Sequence, residues 1–122
     1  MFTTNKKSLD AVIVDTTGIG VEVSERANIS IQLIATGITS GNGVFTFEIS
    51  NDQGVTWTAY NRLITNIANT NAQNDTKVAS VTLSSNGSAF VFVPNGDYFG
   101  MIRVNVDRTT DGTYSAVVQS GE

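Results

Sequence analysis

The residues with hard oxygen ligands or acid–base capacity are few and scattered along the chain. Asp97, Asp107 and Asp111 carry carboxylates near the C-terminal end. A Ca²⁺ ion takes six to eight oxygens from a tight cage, so the sparse loop from Asp107 to Gly112 reads as a solvated hairpin end and no metal ligands are assigned. Two further carboxylate pairs, Glu22 with Glu25 and Glu48 with Asp52, have the residue types of a glycosidase. That chemistry requires a defined separation across a cleft, and solvated strand faces account for both pairs more simply. The chain contains neither His nor Cys, which removes Ser-His-Asp and Cys-His nucleophile systems, thiolate metal sites and disulfides. We assign no catalytic residue and no cofactor, and expect a protein that is not an enzyme.

The most ordered local pattern is Ser50-Asn51-Asp52-Gln53-Gly54-Val55-Thr56-Trp57. An Asp can accept hydrogen bonds from turn N–H groups, Gly tolerates positive φ, and Trp carries a large apolar ring. The octapeptide resembles the Asp-box, S-x-D-x-G-x-T-W, a hairpin turn repeated in sialidase propellers and found singly in other β-proteins. That resemblance implies structural roles for Ser50, Asp52, Gly54, Thr56 and Trp57, with the Trp57 ring returned to the core beside Phe47. A sialidase propeller itself needs several blades and several boxes, and this chain has one.

Around this turn the sequence alternates with period two, and Gly, Asn, Asp and Ser separate the runs. Strands are expected over residues 9–14, 21–24, 28–35, 44–49, 55–63, 78–83, 89–93, 101–107 and 113–118. Ile29, Ile31 and Leu33 form one inward face, and Phe45, Phe47 and Ile49 another. Phe90 and Phe92 share a face and are expected in the core. Pro94 and Asn95-Gly96 end a strand. Residues 65–76 are rich in Asn and Thr and read as a long exposed loop, with a single helical turn as the alternative. Eight or nine short strands without intervening helices predict an all-β, two-sheet antiparallel β-sandwich, jelly-roll-like or, alternatively, immunoglobulin-like. Residues 9–122 make the single domain. Residues 1–8 read as a flexible N-terminal arm whose removal would weaken assembly and leave thermal unfolding nearly unchanged.

Seven basic against eleven acidic residues give a net charge of −4, and the basic residues are dispersed. Neither a phosphate backbone nor an anionic membrane finds a footprint here, and no apolar run reaches a membrane span. The N-terminus, with Lys6 and Lys7 followed by no long apolar stretch, is expected to lack a secretory signal. Only 15% of residues are charged, a composition suited to packing in repetitive assemblies, where each like-charge contact would be multiplied. Tyr60, Tyr98 and Tyr114 are the candidate surface contacts.

The segment from Gly43 to Leu63, with the endings Gly100–Asp107 and Gly112–Val118, is similar to small β-sandwich accessory proteins of tailed bacteriophage virions. These include capsid decoration, auxiliary and fibre-type proteins. The resemblance implies a non-enzymatic structural protein that bridges subunits of a particle. It would reside in the virion, and in the host cytoplasm before assembly. Its partners would be other virion proteins and further copies of itself, with a trimer as the first expectation. A glycan-binding module, using Trp57, Tyr60 or Tyr98 as a stacking platform, is the alternative.

Overall fold

The computed structural model describes residues 3–23, 28–65, 77–94 and 96–121. The expectation for residues 65–76, loop or helical turn, lies almost wholly outside them. The described residues form twelve strands: β1 (Thr3–Val12), β2 (Thr16–Thr17), β3 (Val21–Glu22), β4 (Asn28–Thr36), β5 (Asn42–Ser50), β6 (Thr58–Ala59), β7 (Leu63–Ile64), β8 (Lys77–Val78), β9 (Ser80–Leu83), β10 (Gly87–Phe92), β11 (Met101–Thr109) and β12 (Thr113–Gly121).

Two antiparallel sheets pack face to face. One runs β1-β12-β4-β10-β7-β8; the other runs β2-β11-β5-β6, with β3 also on β11 and β9 also on β5. The main strands interleave as β1-β12-β4-β10 over β2/β3-β11-β5-β9, and the chain passes from one sheet to the other at every connection between successive strands except β2/β3, β5/β6 and β7/β8. This is the strand order of a jelly roll, which decides between the two sandwich types expected from the sequence.

Alternation fills the space between the sheets. Ile29, Ile31, Leu33 and Ala35 of β4 are buried, as are Phe45 and Phe47 of β5, Ile102, Val104 and Val106 of β11, and Tyr114, Ala116 and Val118 of β12. Ile49, expected with Phe45 and Phe47, is only partly buried against this cluster. The Tyr114 ring meets Phe45 edge-on, with centroids 5.9 Å apart at 76°, and its hydroxyl donates to the Asp111 carbonyl at 2.9 Å. A buried phenol therefore keeps its polar end satisfied. Gly43 is required beside it, since a Cβ there would lie 2.5 Å from the Tyr114 ring.

Three expectations are corrected. First, β1 begins at Thr3, so residues 3–8 are no arm: they pair with β12 from Thr3↔Gly121 onward. Ser8 is buried; its Oγ accepts from the Val104 N–H at 2.8 Å and donates to the Ile19 carbonyl at 2.8 Å. That hydroxyl ties the first strand to the opposite sheet. Second, the expected strand 55–63 is reduced to β6 and β7, with Tyr60 turned inward between them. Third, Phe90 and Phe92 face outward, because β10 pairs with β4 so that Val91 opposes the inward Ile31 and Phe90 opposes Gln32. Val91 is fully buried and both phenylalanines are 36% exposed.

Two stability outcomes follow from β1. Deleting residues 1–8 is expected to lower the melting temperature markedly in a thermal unfolding scan, against the near-invariance that an arm would give. Ser8→Ala, which strands the Val104 N–H, is expected to cost about 1–3 kcal/mol in denaturant unfolding; an unchanged midpoint would show the link to be dispensable.

Candidate functional site

The Ser50–Trp57 turn joins β5 to β6 at one end of the second sheet. Gln53 and Gly54 both have positive φ, 61° and 87°, the left-handed pair that lets a tight hairpin follow the twist of its strands. The Ser50 hydroxyl donates to Asp52 Oδ1 at 2.7 Å and accepts from the Gly54 N–H at 2.9 Å. Asp52 Oδ1 also accepts from the Thr56 N–H at 2.8 Å. These bonds, the Thr56 amide first, hold the Asp52 carboxyl below its usual pKa. Asn51 extends the network by accepting from the Gly100 N–H at 2.8 Å.

Trp57 departs from expectation. Its ring lies on the outer face of the sheet instead of in the core beside Phe47. The Trp57 Nε1–H donates to the Gly54 carbonyl at 3.0 Å, and the Arg103 guanidinium sits 4.3 Å from the ring centroid. Arg103 also binds Glu48 Oε1, through Nε at 2.9 Å and its terminal nitrogen at 2.8 Å, and Asn105 donates to the same oxygen at 2.7 Å. Glu48 and Arg103 are direct cross-strand partners on β5 and β11. The Asn105 bond, together with Arg103, outweighs partial burial and lowers the Glu48 pKa. The Arg103 guanidinium, held by the Glu48 carboxylate, thus covers one face of the indole and would compete with a sugar ring stacking there.

Shallow depressions of about 410 and 550 Å³ flank the turn, one bordered by Ile49, Asp52 and Thr58 and the other by Gln53, Gly100 and Met101. Each depression is open to solvent and carries one carboxylate, Asp52 in the first and Glu22 in the second.

The three tyrosines separate. Tyr60 is 6% exposed and Tyr114 fully buried, so neither is a surface contact; Tyr98 is 80% exposed. The Tyr60 hydroxyl donates to Asp97 Oδ2 at 2.6 Å, Arg62 Nε reaches the same oxygen at 2.9 Å, and the Tyr60 ring leans on Phe99 at 5.4 Å. Burial, then the Asp97 hydrogen bond, pushes the Tyr60 phenol well above its ordinary pKa. Asp97 is lowered in turn, chiefly by Arg62 and then Tyr60. This cluster pins the chain between β6 and β7 to the turn before β11. It escaped the sequence reading because Asp97 stands 37 positions from Tyr60 and 35 from Arg62.

The carboxylates considered for metal or glycoside chemistry are dispersed. Asp111 accepts from the N–H groups of Thr39, Ser40 and Gly41; these bonds outweigh its desolvation and lower its pKa. Asp97 serves Tyr60 and Arg62, Asp107 is exposed, and Glu25 lies outside the described residues. Among the described residues no three acidic side chains are grouped closely enough to hold a metal ion. The Glu48 and Asp52 carboxyls belong to two different networks.

No protein-family model matches the chain, and no curated protein matches it in sequence. Solved structures do. The SPBc2 prophage-derived protein YomS superposes with a TM-score of 0.62 at 9% identity, over 98% of this chain and 94% of that one. PirA gives a TM-score of 0.48 at 7% identity, over 96% and 92%. The likeness to YomS is one of fold, and it spans the whole sandwich in both proteins.

Four carboxyls with lowered pKa, Glu48, Asp52, Asp97 and Asp111, set the acid response. A depressed folded-state pKa contributes stability above the unfolded-state value of roughly 4, and that contribution is lost as pH falls through the folded value. The melting temperature is therefore expected to hold steady from neutral pH to about 5 and to fall below about 4. Trp57, the single tryptophan, reports locally: Arg103→Ala is expected to shift its emission at neutral pH without unfolding the chain. A wild-type-like emission spectrum would remove the guanidinium from the indole face.

Proposed function

We propose that this protein is a non-enzymatic structural component of a phage particle that attaches to other virion proteins and bridges or stabilises them. The observation that carries the reading is the end-to-end likeness of its jelly roll to a prophage-derived protein. The sparse charge of the chain agrees with it, because a shell multiplies each contact by its symmetry and weak, uncharged contacts add without like-charge penalties. The polar networks agree as well: Glu48–Arg103, Asp52–Ser50, Asp97–Tyr60 and Asp111 with its loop are engaged in holding turns and strands. On this reading the rigid sandwich is a spacer, and contacts are made by its faces and end loops.

The glycan-binding alternative draws less support. Of its three platform residues, Tyr60 is buried and Trp57 is capped by Arg103, which leaves Tyr98.

Particles made by the phage or lysogen that encodes the chain, purified on a density gradient and analysed by mass spectrometry, are expected to contain it at a fixed ratio to the major structural proteins. Recovery only in the soluble fraction would overturn the proposal. Tyr98→Ala is expected to leave retention on a glycan array at background, as in the wild type; specific retention lost in the variant would favour the alternative.

A further inference from the structure

The two outer faces of the sandwich differ in kind. The face of the second sheet carries Arg103, Glu48 and Asp107 on its two central strands. On the first sheet, register places alternate residues of β12, β4 and β10 outward, from Thr113, Asn28 and Ser88 respectively. None of these outward positions holds a charged side chain. Across that face runs a diagonal apolar stripe. Ile64 on β7 pairs with Phe92, and Phe92 stacks on Phe90 with centroids 6.5 Å apart at 17°. Ile34 and Val117 continue it: Val117 pairs with Gln32, which pairs with Phe90, and Ile34 lies two residues along β4.

Two stacked phenylalanines, each still 36% exposed, leave ring surface in water on a sheet face, where a polar residue would serve the same backbone pairing. Contiguous apolar surface rimmed by polar residues marks an interaction site. We infer that the outer face of β12-β4-β10 is a self-association surface that receives the same face of a second copy of this chain.

Charge and area select this occupant. Two copies of a face without charged side chains meet about a two-fold axis with no like-charge contact, whereas such a face offers no electrostatic complement to a differently charged partner. The nearest charges are Lys7 on β1, opposite Val117 and ion-paired with Asp10, and Lys77 on β8, opposite Ile64; both border the stripe from the outermost strands, where a polar rim stays hydrated. Over β12, β4 and β10, strand spacing and rise give roughly 400 Å² of sheet per copy, or about 800 Å² in the pair. That is the range of weak, transient interfaces, so the dimer is reversible and concentration-dependent. The pair so inferred is two-fold, where the sequence expectation is a trimer. The inference stands apart from the virion reading: a dimer absent from particles would remove that reading and keep this one.

The test is sedimentation equilibrium or light scattering on the purified full chain over a wide dilution series. Wild type is expected to rise from 13.0 kDa toward twice that mass. Phe90→Lys and the double variant Phe90→Ser/Phe92→Ser are expected to stay monomeric with wild-type circular dichroism. Thr82→Lys, on the outer face of the other sheet, is expected to dimerise as wild type does. The serine pair adds no charge and keeps the test decisive if the lysine variant misfolds. A wild type that remains at 13.0 kDa throughout, or a dimer that survives the serine pair, would overturn the inference.

Discussion

Everything in this molecule hangs on two long antiparallel pairings, β5 with β11 and β4 with β12, each running through nine consecutive residue pairs without a bulge. Because side chains alternate strictly across a strand, a slip of one residue in either pairing would turn an entire set of apolar side chains into solvent. The Phe45, Phe47, Val104 and Val106 set and the Leu33, Ala116 and Val118 set can meet only in the observed register. Once they do, the outward set is decided as well. Glu48 must stand beside Arg103, and Ile34 must stand outside beside Ser115.

The networks at the ends of the sandwich answer a second constraint, that backbone groups leaving the ladders still need partners. Asp111 gathers three N–H groups of the 39–41 loop, Asp52 and Ser50 close the hairpin after β5, and Asp97 takes both Tyr60 and Arg62. Ser8 does the same in the interior, joining β1 to β11 and to the chain before β3. Three of the carboxylates considered for chemistry, Asp52, Asp97 and Asp111, thus hold turns and loops, and their lowered pKa values express that work. A strained backbone accompanies it: Ala11, Gln53 and Thr110 hold positive φ without being glycine, at a bulge and in two tight turns.

The division of labour between the two faces gives the fold its proposed use. One sheet presents an ion pair and a cation-capped indole; the other presents stacked rings among neutral polar groups. A jelly roll that is polar on one side and uncharged on the other can join its own copy through one surface and keep the other, with its end loops, for different contacts.

How much of this was legible in the sequence depends on the range of each interaction. Local pattern sufficed for the all-β class, the cores of β4, β5, β11 and β12, and the Ser50–Trp57 turn, since alternation and turn chemistry act within a few residues. Residues 3–8 show no alternation to read, and only the backbone of β12, more than a hundred positions away, makes them a strand. Phe90 and Phe92 were assigned inward because large rings favour cores, yet alternation by itself leaves the phase of a strand open, and the pairing with β4 chose Ala89 and Val91. Tyr60, Tyr98 and Tyr114 are alike in sequence, but their burial was decided by Phe99 with Asp97, by solvent, and by Phe45 respectively. Local preferences thus settle most of the segments that extend and most of the places where they reverse, and they settle the inward face where apolar alternation is unbroken, as in β4 and β5. Pairing between distant strands settles the rest, the extension of residues 3–8 and the phase of β10, because a strand edge or face without a clear pattern is chosen by its neighbour.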